Sequence, residues 1–241
     1  MVRNDRRTKL LPKIILGQLL VGAIIFCLAI ALIRYAQGYR IDFQSFRMIK
    51  TAVLVLDYQP KDAKVLLNGK SAKYLRTSFA KNLLPGFYNI SVEKEGYTPW
   101  QMPLNMPTES VNVFKDIVLF KKEIEISELI DQRKIAILNE PVSLLAQKSE
   151  NGLFMNSNEI WVGNQLVTRF STQLKKVIWY SDMYHIVFQA GNEIRVIEKN
   201  GMNDTLLATL SQETVATFNI NNRGDELYFI DGGQYKIAKI R

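Results

Sequence analysis

The sequence predicts a mainly β protein preceded by one N-terminal transmembrane helix, and three observations carry that prediction. Residues 14–33 form an unbroken apolar run in which Gln18 is the only strongly polar side chain. From residue 51 onward, apolar residues fall on every second position in short runs broken by Asn-Gly, Pro-Gly and Glu-Gly pairs. That is the pattern of strands with one buried face joined by tight turns. In the C-terminal half, strand–turn–strand segments recur at offsets of 34 and 41 residues, which marks a repeat array.

The run IILGQLLVGAIIFCLAIALI, Ile14 to Ile33, has the length a helix needs to cross about 30 Å of hydrocarbon. Its Leu, Ile, Val and Phe residues supply about −4 to −8 kcal/mol for insertion, which one off-centre glutamine does not cancel. Arg3, Arg6, Arg7, Lys9 and Lys13 precede the run, and Arg34, Arg40, Arg47 and Lys50 follow it. A short basic tail (residues 1–13) stays inside more easily than a large domain, so the expected orientation is N-terminus cytoplasmic with the rest extracytoplasmic. Tyr35 and Tyr39 then fit the outer interfacial belt. Ala29 and Ala31 could also form the A-x-A site of a cleaved signal peptide, but the run continues through Leu32 and Ile33 and favours retention. Phe26, where a lipoprotein has a small residue before its cysteine, argues against lipidation at Cys27. Cys27 is the only cysteine, so no intrachain disulfide exists. Gly22, Ala23, Cys27 and Ala31 form a ridge of small side chains, a possible helix-packing face. A chance spread of small residues facing lipid is the plainer alternative.

The chain has 241 residues, 47% of them hydrophobic, with a formal charge of +8. It is long and apolar enough to bury a core. The charge is concentrated, with +4 in residues 1–13 and +3 in residues 34–50, which leaves +1 beyond Lys50. The folded part therefore lacks the basic face that nucleic-acid binding requires. Residues 34–50 are expected to be a linker.

Beyond the linker, Val53 and Val55, then Ala63, Val65 and Leu67, then Tyr88, Ile90 and Val92 alternate as strand residues with one buried face. Asn68-Gly69 suits a hairpin turn with positive φ. Pro85-Gly86 suits the centre of a type II turn. The strand from Phe87 to Lys94 ends at Glu95-Gly96, and Tyr97 and Trp100 then fold back over the sheet, held extended by Pro99 and Pro103. The segments TAVLVLDYQPKDAKVLLNGK and LLPGFYNISVEKEGYTPW, ending near VLFKK, resemble a PEGA domain over residues 51–122. Pro60-Lys61-Asp62-Ala63 keeps only the first and last residues of the family's namesake motif. The lead-in YAQGYRIDF also looks like that of membrane-anchored members. The resemblance implies a small β-sandwich with a binding or spacer role. Tyr88, Tyr97 and Trp100 are then core residues, with stacking on a cell-wall or surface glycan as the alternative.

EIEISELI and KIAIL read as a β-patterned bridge into the repeats of residues 123–241. IVFQAGNEIRV from Ile186 aligns without gaps on LYFIDGGQYKI from Leu227, and FMNSNEIWV from Phe154 aligns on FQAGNEIRV. LVTRFS at Leu166 matches LLATLS at Leu206, and VIWYSD at Val177 matches TFNINN at Thr217. These units resemble the blades of Tol-Pal-type periplasmic propellers, but propellers have four to eight blades and this chain supplies two or three. An incomplete propeller would leave the strand Tyr235 to Ile240 as an unpaired edge, so a protein partner or homo-oligomer is expected to cover it.

His185, the only histidine, lies in the strand YHIVF with no partners evident nearby for a catalytic triad or metal site. Arg223-Gly224-Asp225, Asn158-Glu159 and Asn192-Glu193 read as turns. No loop has calcium-binding spacing, and no cofactor or metal is expected. Scattered acids leave glycoside hydrolysis open. The expectation is a non-catalytic, membrane-anchored extracytoplasmic protein for envelope scaffolding, adhesion or binding. The alternatives are an accessory or sensor subunit of a larger membrane-associated assembly, and an exported hydrolase.

Overall fold

The computed structural model describes residues 5–43, 46–72, 79–139, 152–213 and 217–241, so Arg3 of the expected tail lies outside it. Among the described residues strand far exceeds helix, so the class is mainly β, built from several small sheets. The chain divides into two compact units, Met1–Val55 with Ala80–Tyr88 and Leu104–Val113, and Leu56–Phe79 with Asn89–Pro103 and Phe114–Arg241. These cut across the expected boundaries at 50/51 and 122/123.

Helix α1 (Asp5–Ala36) is continuous. Its stretch Ile15–Ala36 is long and apolar enough to cross a membrane and is not buried against protein. The helix stops at Gly38, whose φ is +86°. The Gly38 amide donates to the Tyr35 carbonyl at 3.1 Å, and its own carbonyl accepts from the Thr51 amide at 3.1 Å and the Thr51 hydroxyl at 2.9 Å. A left-handed glycine is the usual way to end a helix and satisfy its last carbonyls. Strands β1 (Tyr39–Asp42) and β2 (Arg47–Lys50) follow as an antiparallel hairpin, with Ile41 opposite Met48. The expected linker is therefore a helix end and a hairpin. Its alternation of Tyr39, Ile41 and Phe43 is present in the sequence but obscured by interspersed charge.

Next come β3 (Ala52–Gln59), β4 (Lys64–Leu67), β5 (Lys70–Ser71), β6 (Phe79–Leu83), β7 (Gly86–Glu93), β8 (Trp100–Met106) and β9 (Val111–Val118), in two sheets ordered β6-β3-β9 and β5-β4-β7-β8. Asn68 and Gly69 have φ of +51° and +74° and set Leu67 opposite Lys70, as a primed two-residue turn requires. Gly86 differs from expectation. It opens β7 at φ +151°, far from the roughly +80° of a type II turn, so a wider bend joins β6 to β7. Ala63, Val65, Leu67, Ile90 and Val92 are buried as predicted, but β3 has the opposite phase. Ala52, Leu54, Leu56 and Tyr58 are buried, while Val53 and Val55 are half-buried. AVLVL is apolar in both phases, so alternation cannot choose between them. Pro103 sits in β8, a sheet edge where its missing N–H costs nothing.

In the second unit, β10 (Ile126–Glu128) and helix α2 (Gln132–Asn139) precede β11 (Leu153–Asn156), β12 (Glu159–Val162), β13 (Gln165–Arg169), β14 (Leu174–Trp179), β15 (His185–Ala190), β16 (Glu193–Glu198), β17 (Thr205–Thr209), β18 (Phe218–Ile220), β19 (Glu226–Asp231) and β20 (Gln234–Lys239). They form three antiparallel sheets, β11-β12-β13, β14-β15-β16-β17 and β10-β20-β19-β18. The two-residue hairpin loops start at Ser157, Gly191 and Gly232, with φ of +54°, +59° and +59°, at the spacings the repeats predicted. The match of VIWYSD to TFNINN is one residue out. Val177 pairs with Phe188 and Phe218 with Phe229, so Val177 corresponds to Phe218 rather than Thr217.

The three sheets stack through their side chains. Ile160 and Val162 of the first share a core with Ile186, Phe188 and Ile197 of the second. The second sheet's other face (Val187, Ile194, Val196) shares a core with Leu227, Phe229 and Ala238 of the third. The third sheet's far face presents Tyr228 to Leu129 and to Leu138 of α2, with Ile135, Ile137 and Ile237 packed alongside. Burying each such side chain contributes about 1.5–3 kcal/mol. KIAIL is thus a helix and not a strand. Asp131 caps it, its carboxylate accepting from the Arg133 amide at 2.9 Å, and Lys134 pairs with Glu226 at 2.8 Å. The expected open edge is also corrected. β10 pairs with β20 at Lys236, Ile237 and Ala238, so the C-terminal strand is covered within the chain.

Because α2 covers the third sheet, Leu138→Ala is expected to cost about 2–5 kcal/mol. Urea unfolding of the variant against the parent protein measures that loss.

Candidate functional site

A cleft of about 610 Å³ opens in the second unit. Its apolar floor comes from Tyr58, Ile117, Val118 and Tyr180, and its rim carries Asp57, Asp116, Asp182, Asp225, Arg223 and Arg241. Three turn devices shape it. The Tyr180 phenol donates to the Gly224 carbonyl. Gly224 has φ +70°, and a Cβ there would lie 2.3 Å from the Tyr180 hydroxyl, so no other residue fits without displacing the tyrosine. Arg241 donates to Gln59 and, at 3.2 Å, to the Arg223 carbonyl. Arg223-Gly224-Asp225 is a turn as predicted. The Gly224 amide donates to the Asn221 carbonyl at 2.9 Å, and the Asn221 side chain accepts from the Asp225 amide at 3.0 Å. The rim offers carboxylate acceptors and guanidinium donors, the equipment for binding a polar ligand.

A second polar cluster lies beneath the surface of the same unit. Glu198, 1% exposed, accepts from the Trp100 indole N–H, from Asn203 Nδ2 at 3.1 Å, from Asn200 Nδ2 at 2.9 Å and from the Tyr184 hydroxyl at 3.4 Å. Burial and the Glu198 charge push the Tyr184 phenol well above its ordinary value. The chain around Trp100 is tied on further by the Gln101 amide, which donates to Asn203 Oδ1 at 2.9 Å. Sequence reading missed Glu198. The only signal was an acid following the apolar pair Val196-Ile197 at the end of β16.

His185 has a partner that sequence reading overlooked. Its Nδ1 lies 2.6 Å from Asp182 Oδ2, and Asp182 Oδ1 also accepts from the Tyr184 and His185 amides at 2.8 and 2.9 Å. Burial alone would raise the Asp182 carboxyl, but these hydrogen bonds and the nearby imidazole hold it below its ordinary value of 3.8. The imidazole is 2% exposed, with Phe120, Tyr180 and Tyr184 set edge-on around it. It fastens a turn and borders a small cavity of about 10 Å³. Among the described residues no group of three or more His, Cys, Asp or Glu is placed to hold a metal.

Trp100 is 3% exposed and edge-on to Phe114 at 5.8 Å, so it presents no ring face to a glycan and the stacking alternative fails there. Tyr97 is half-buried under the Lys94 ammonium at 4.9 Å. Tyr88 belongs to the other unit and donates to the Leu84 carbonyl at 2.8 Å. Gly22, Ala23, Cys27 and Ala31 all lie exposed on α1. Asn158 and Asn192 occupy equivalent turns, each donating to the residue just past the second strand that follows, at the Phe170 and Leu210 carbonyls beyond β13 and β17. Glu159 and Glu193 pair with Arg169 and Arg195.

No protein-family model and no curated protein matches the chain. Among solved structures, a DUF3823 family protein from Bacteroides ovatus ATCC 8483 aligns at 12% identity over 79% of this chain and 97% of its own, with a TM-score of 0.22. An auxiliary nutrient binding protein from Bacteroides thetaiotaomicron VPI-5482 aligns at 8% identity over 70% of this chain and 57% of its own, with a TM-score of 0.20. Both scores are too low for a shared overall fold.

Two outcomes follow from this geometry. Glu198→Ala strands several buried donors and is expected to cost about 3 kcal/mol, with loss of the Trp100 near-ultraviolet dichroism; Glu198→Gln, which keeps an acceptor oxygen, costs less. Asp182 has a depressed folded pKa, so its stabilisation is complete above its unfolded value near 3.8 and is lost as pH falls below it. Acid titration of stability is therefore expected to be steeper in the parent protein than in Asp182→Asn.

Proposed function

We propose that this is a non-catalytic, single-pass membrane protein that holds a β-rich body outside the cytoplasm for binding or scaffolding in the cell envelope. One observation carries the reading. The stretch Ile15–Ala36 is apolar and unburied, and the next residues cap it and lead directly into folded β structure. An apolar helix this long with no protein around it fits lipid. The basic tail before it favours a cytoplasmic N-terminus.

Within this reading, residues 51–122 are a PEGA-like sandwich. Two small sheets and left-handed residues at Asn68-Gly69 and Gly96 support it. Residues 123–241 are a short propeller-like array, supported by three stacked sheets with repeat-spaced hairpins. The aspartate- and arginine-rimmed cleft is the proposed ligand site, for a polar ligand. The accessory-subunit reading has one observation in its favour. On the first sheet Phe154 and Trp161 stack at 6.3 Å, and Leu166 pairs beside Trp161. Phe154 and Leu166 are exposed, as on a face that meets another protein.

In membranes prepared from cells producing the full chain, the protein is expected to resist alkaline carbonate extraction. Protease added from the extracytoplasmic side should digest the body at its exposed loops while sparing a tag at the N-terminus. Release into the soluble fraction would remove the anchor, and protection of the body from outside protease would reverse the orientation.

A further inference from the structure

The β1–β2 hairpin exposes apolar surface that nothing among the described residues covers. Ile41 and Met48 are direct cross-strand partners and are 52% and 49% exposed. One step beyond them, Phe43 and Phe46 are 77% and 85% exposed. Tyr39 and Ile41 share one face of the hairpin by strand alternation, as do Lys50 and Met48, and Phe43 and Phe46 stand at the turn just beyond the two strands. Phe46 also sits at φ +51°, a region that bulky residues rarely occupy and where an outlier is a pointer to function.

The hairpin continues directly from α1 and is fastened to its end. Arg40 Nη1 donates to the Tyr35 and Tyr39 carbonyls at 3.0 and 2.8 Å, and its guanidinium lies 3.7 Å from the Tyr35 ring centre. Arg34 lies 5.1 Å from the Tyr39 ring and Lys50 5.6 Å from it. Aromatic rings, guanidiniums and bare apolar tips are thus gathered where a membrane helix leaves the hydrocarbon. Tyrosines favour that interface, and basic residues there meet lipid phosphates.

Resting on the reading that α1 spans a bilayer, we infer that the β1–β2 hairpin is an interfacial anchor. Phe43 and Phe46 dip into the lipid leaflet facing residues 34–50, flanked by Ile41 and Met48, while Arg34, Arg40 and Arg47 engage anionic headgroup phosphates and Lys50 stays paired with Glu109. The occupant of this surface is the membrane itself, because the apolar patch is continuous with the spanning helix and the charge around it is complementary to anionic lipid. The hairpin fixes how the chain leaves the bilayer, beyond the tethering that α1 alone provides.

The test uses the full chain in a Cys27→Ser background, with Phe43→Cys or Phe46→Cys carrying an environment-sensitive fluorophore, and Glu95→Cys as a reference at an exposed site. Each protein is reconstituted into phosphatidylcholine vesicles with and without phosphatidylglycerol. At positions 43 and 46 the emission is expected to shift to the blue and to be quenched by lipids bearing a quencher near the headgroup, while position 95 stays water-like. The shift should be larger with phosphatidylglycerol and shrink when Arg40 and Arg47 are both replaced by Glu. Flotation with the vesicles but water-like emission at 43 and 46 would overturn the hairpin anchor and leave the spanning helix intact. Failure to float would overturn the spanning helix and the hairpin anchor with it.

Discussion

A β-sheet that is apolar on both faces must be covered on both, and this requirement organises the larger unit. In β15 both sets of alternating side chains are buried, and in β16 Ile194 and Val196 are buried on one face and Ile197 on the other, so the second sheet cannot exist at the surface of anything. It needs the first sheet on one side and the third on the other. The third sheet is apolar on two faces as well, and there the chain uses α2, a short helix whose Leu138 packs on Tyr228. A stack of sheets can therefore end without closing into a ring, provided something caps its last face and its last edge. Here α2 does the first and β10 the second. Both come from the stretch just before the repeats, so residues 126–139 terminate the array from its N-terminal side.

Buried carboxylates hold the loops to this stack. Glu198 accepts from four side chains, and Asp182 from two amides and His185. Burying a carboxylate costs several kcal/mol before its partners are counted, so such groups contribute little net stability when satisfied and a large penalty when a partner is removed. Their effect is on uniqueness. The segment around Trp100 could pack against apolar surface in many ways, but only one position brings its indole N–H to Glu198. Gly224 works to the same end by steric means, since only a residue without a Cβ lets Tyr180 reach the turn backbone.

Sequence alone made the class, the apolar helix, the tight turns and the repeat spacing legible, because each is written in local residue types with a fixed period. Ser157, Gly191 and Gly232 stand where the alignment puts the turns. Failures arose where a local pattern was ambiguous or where the partner was distant. AVLVL fits a strand in either phase. KIAIL alternates like a strand, yet Asp131 at its N-terminus was a usable helix signal, and the deciding contact, Tyr228, lies far along the chain. The pairing of β10 with β20 and the joining of the cleft from residues near 57, 116, 180 and 223 are long-range events that no short window contains. For Trp100, size and position suggested either core or ligand platform, and the choice rests on its long-range contacts with Phe114 and Glu198, which bury it.

The distribution of charge divides the labour along the chain. Nearly all of the net charge flanks the apolar stretch of α1, in residues 1–13 and 34–50, while the remainder is close to neutral. Each cation near an anionic leaflet is worth about 1 kcal/mol, and that attraction fades beyond about 8–10 Å at physiological ionic strength. Attraction to lipid is therefore confined to the ends of the helix. The near-neutral remainder feels no comparable pull, and its aspartates, arginines and exposed aromatic face stay available for other partners. A chain with the same net charge spread evenly would be drawn onto the membrane along its whole length. On the proposed reading, segregating the charge lets one polypeptide hold lipid at one place and offer a polar cleft at another.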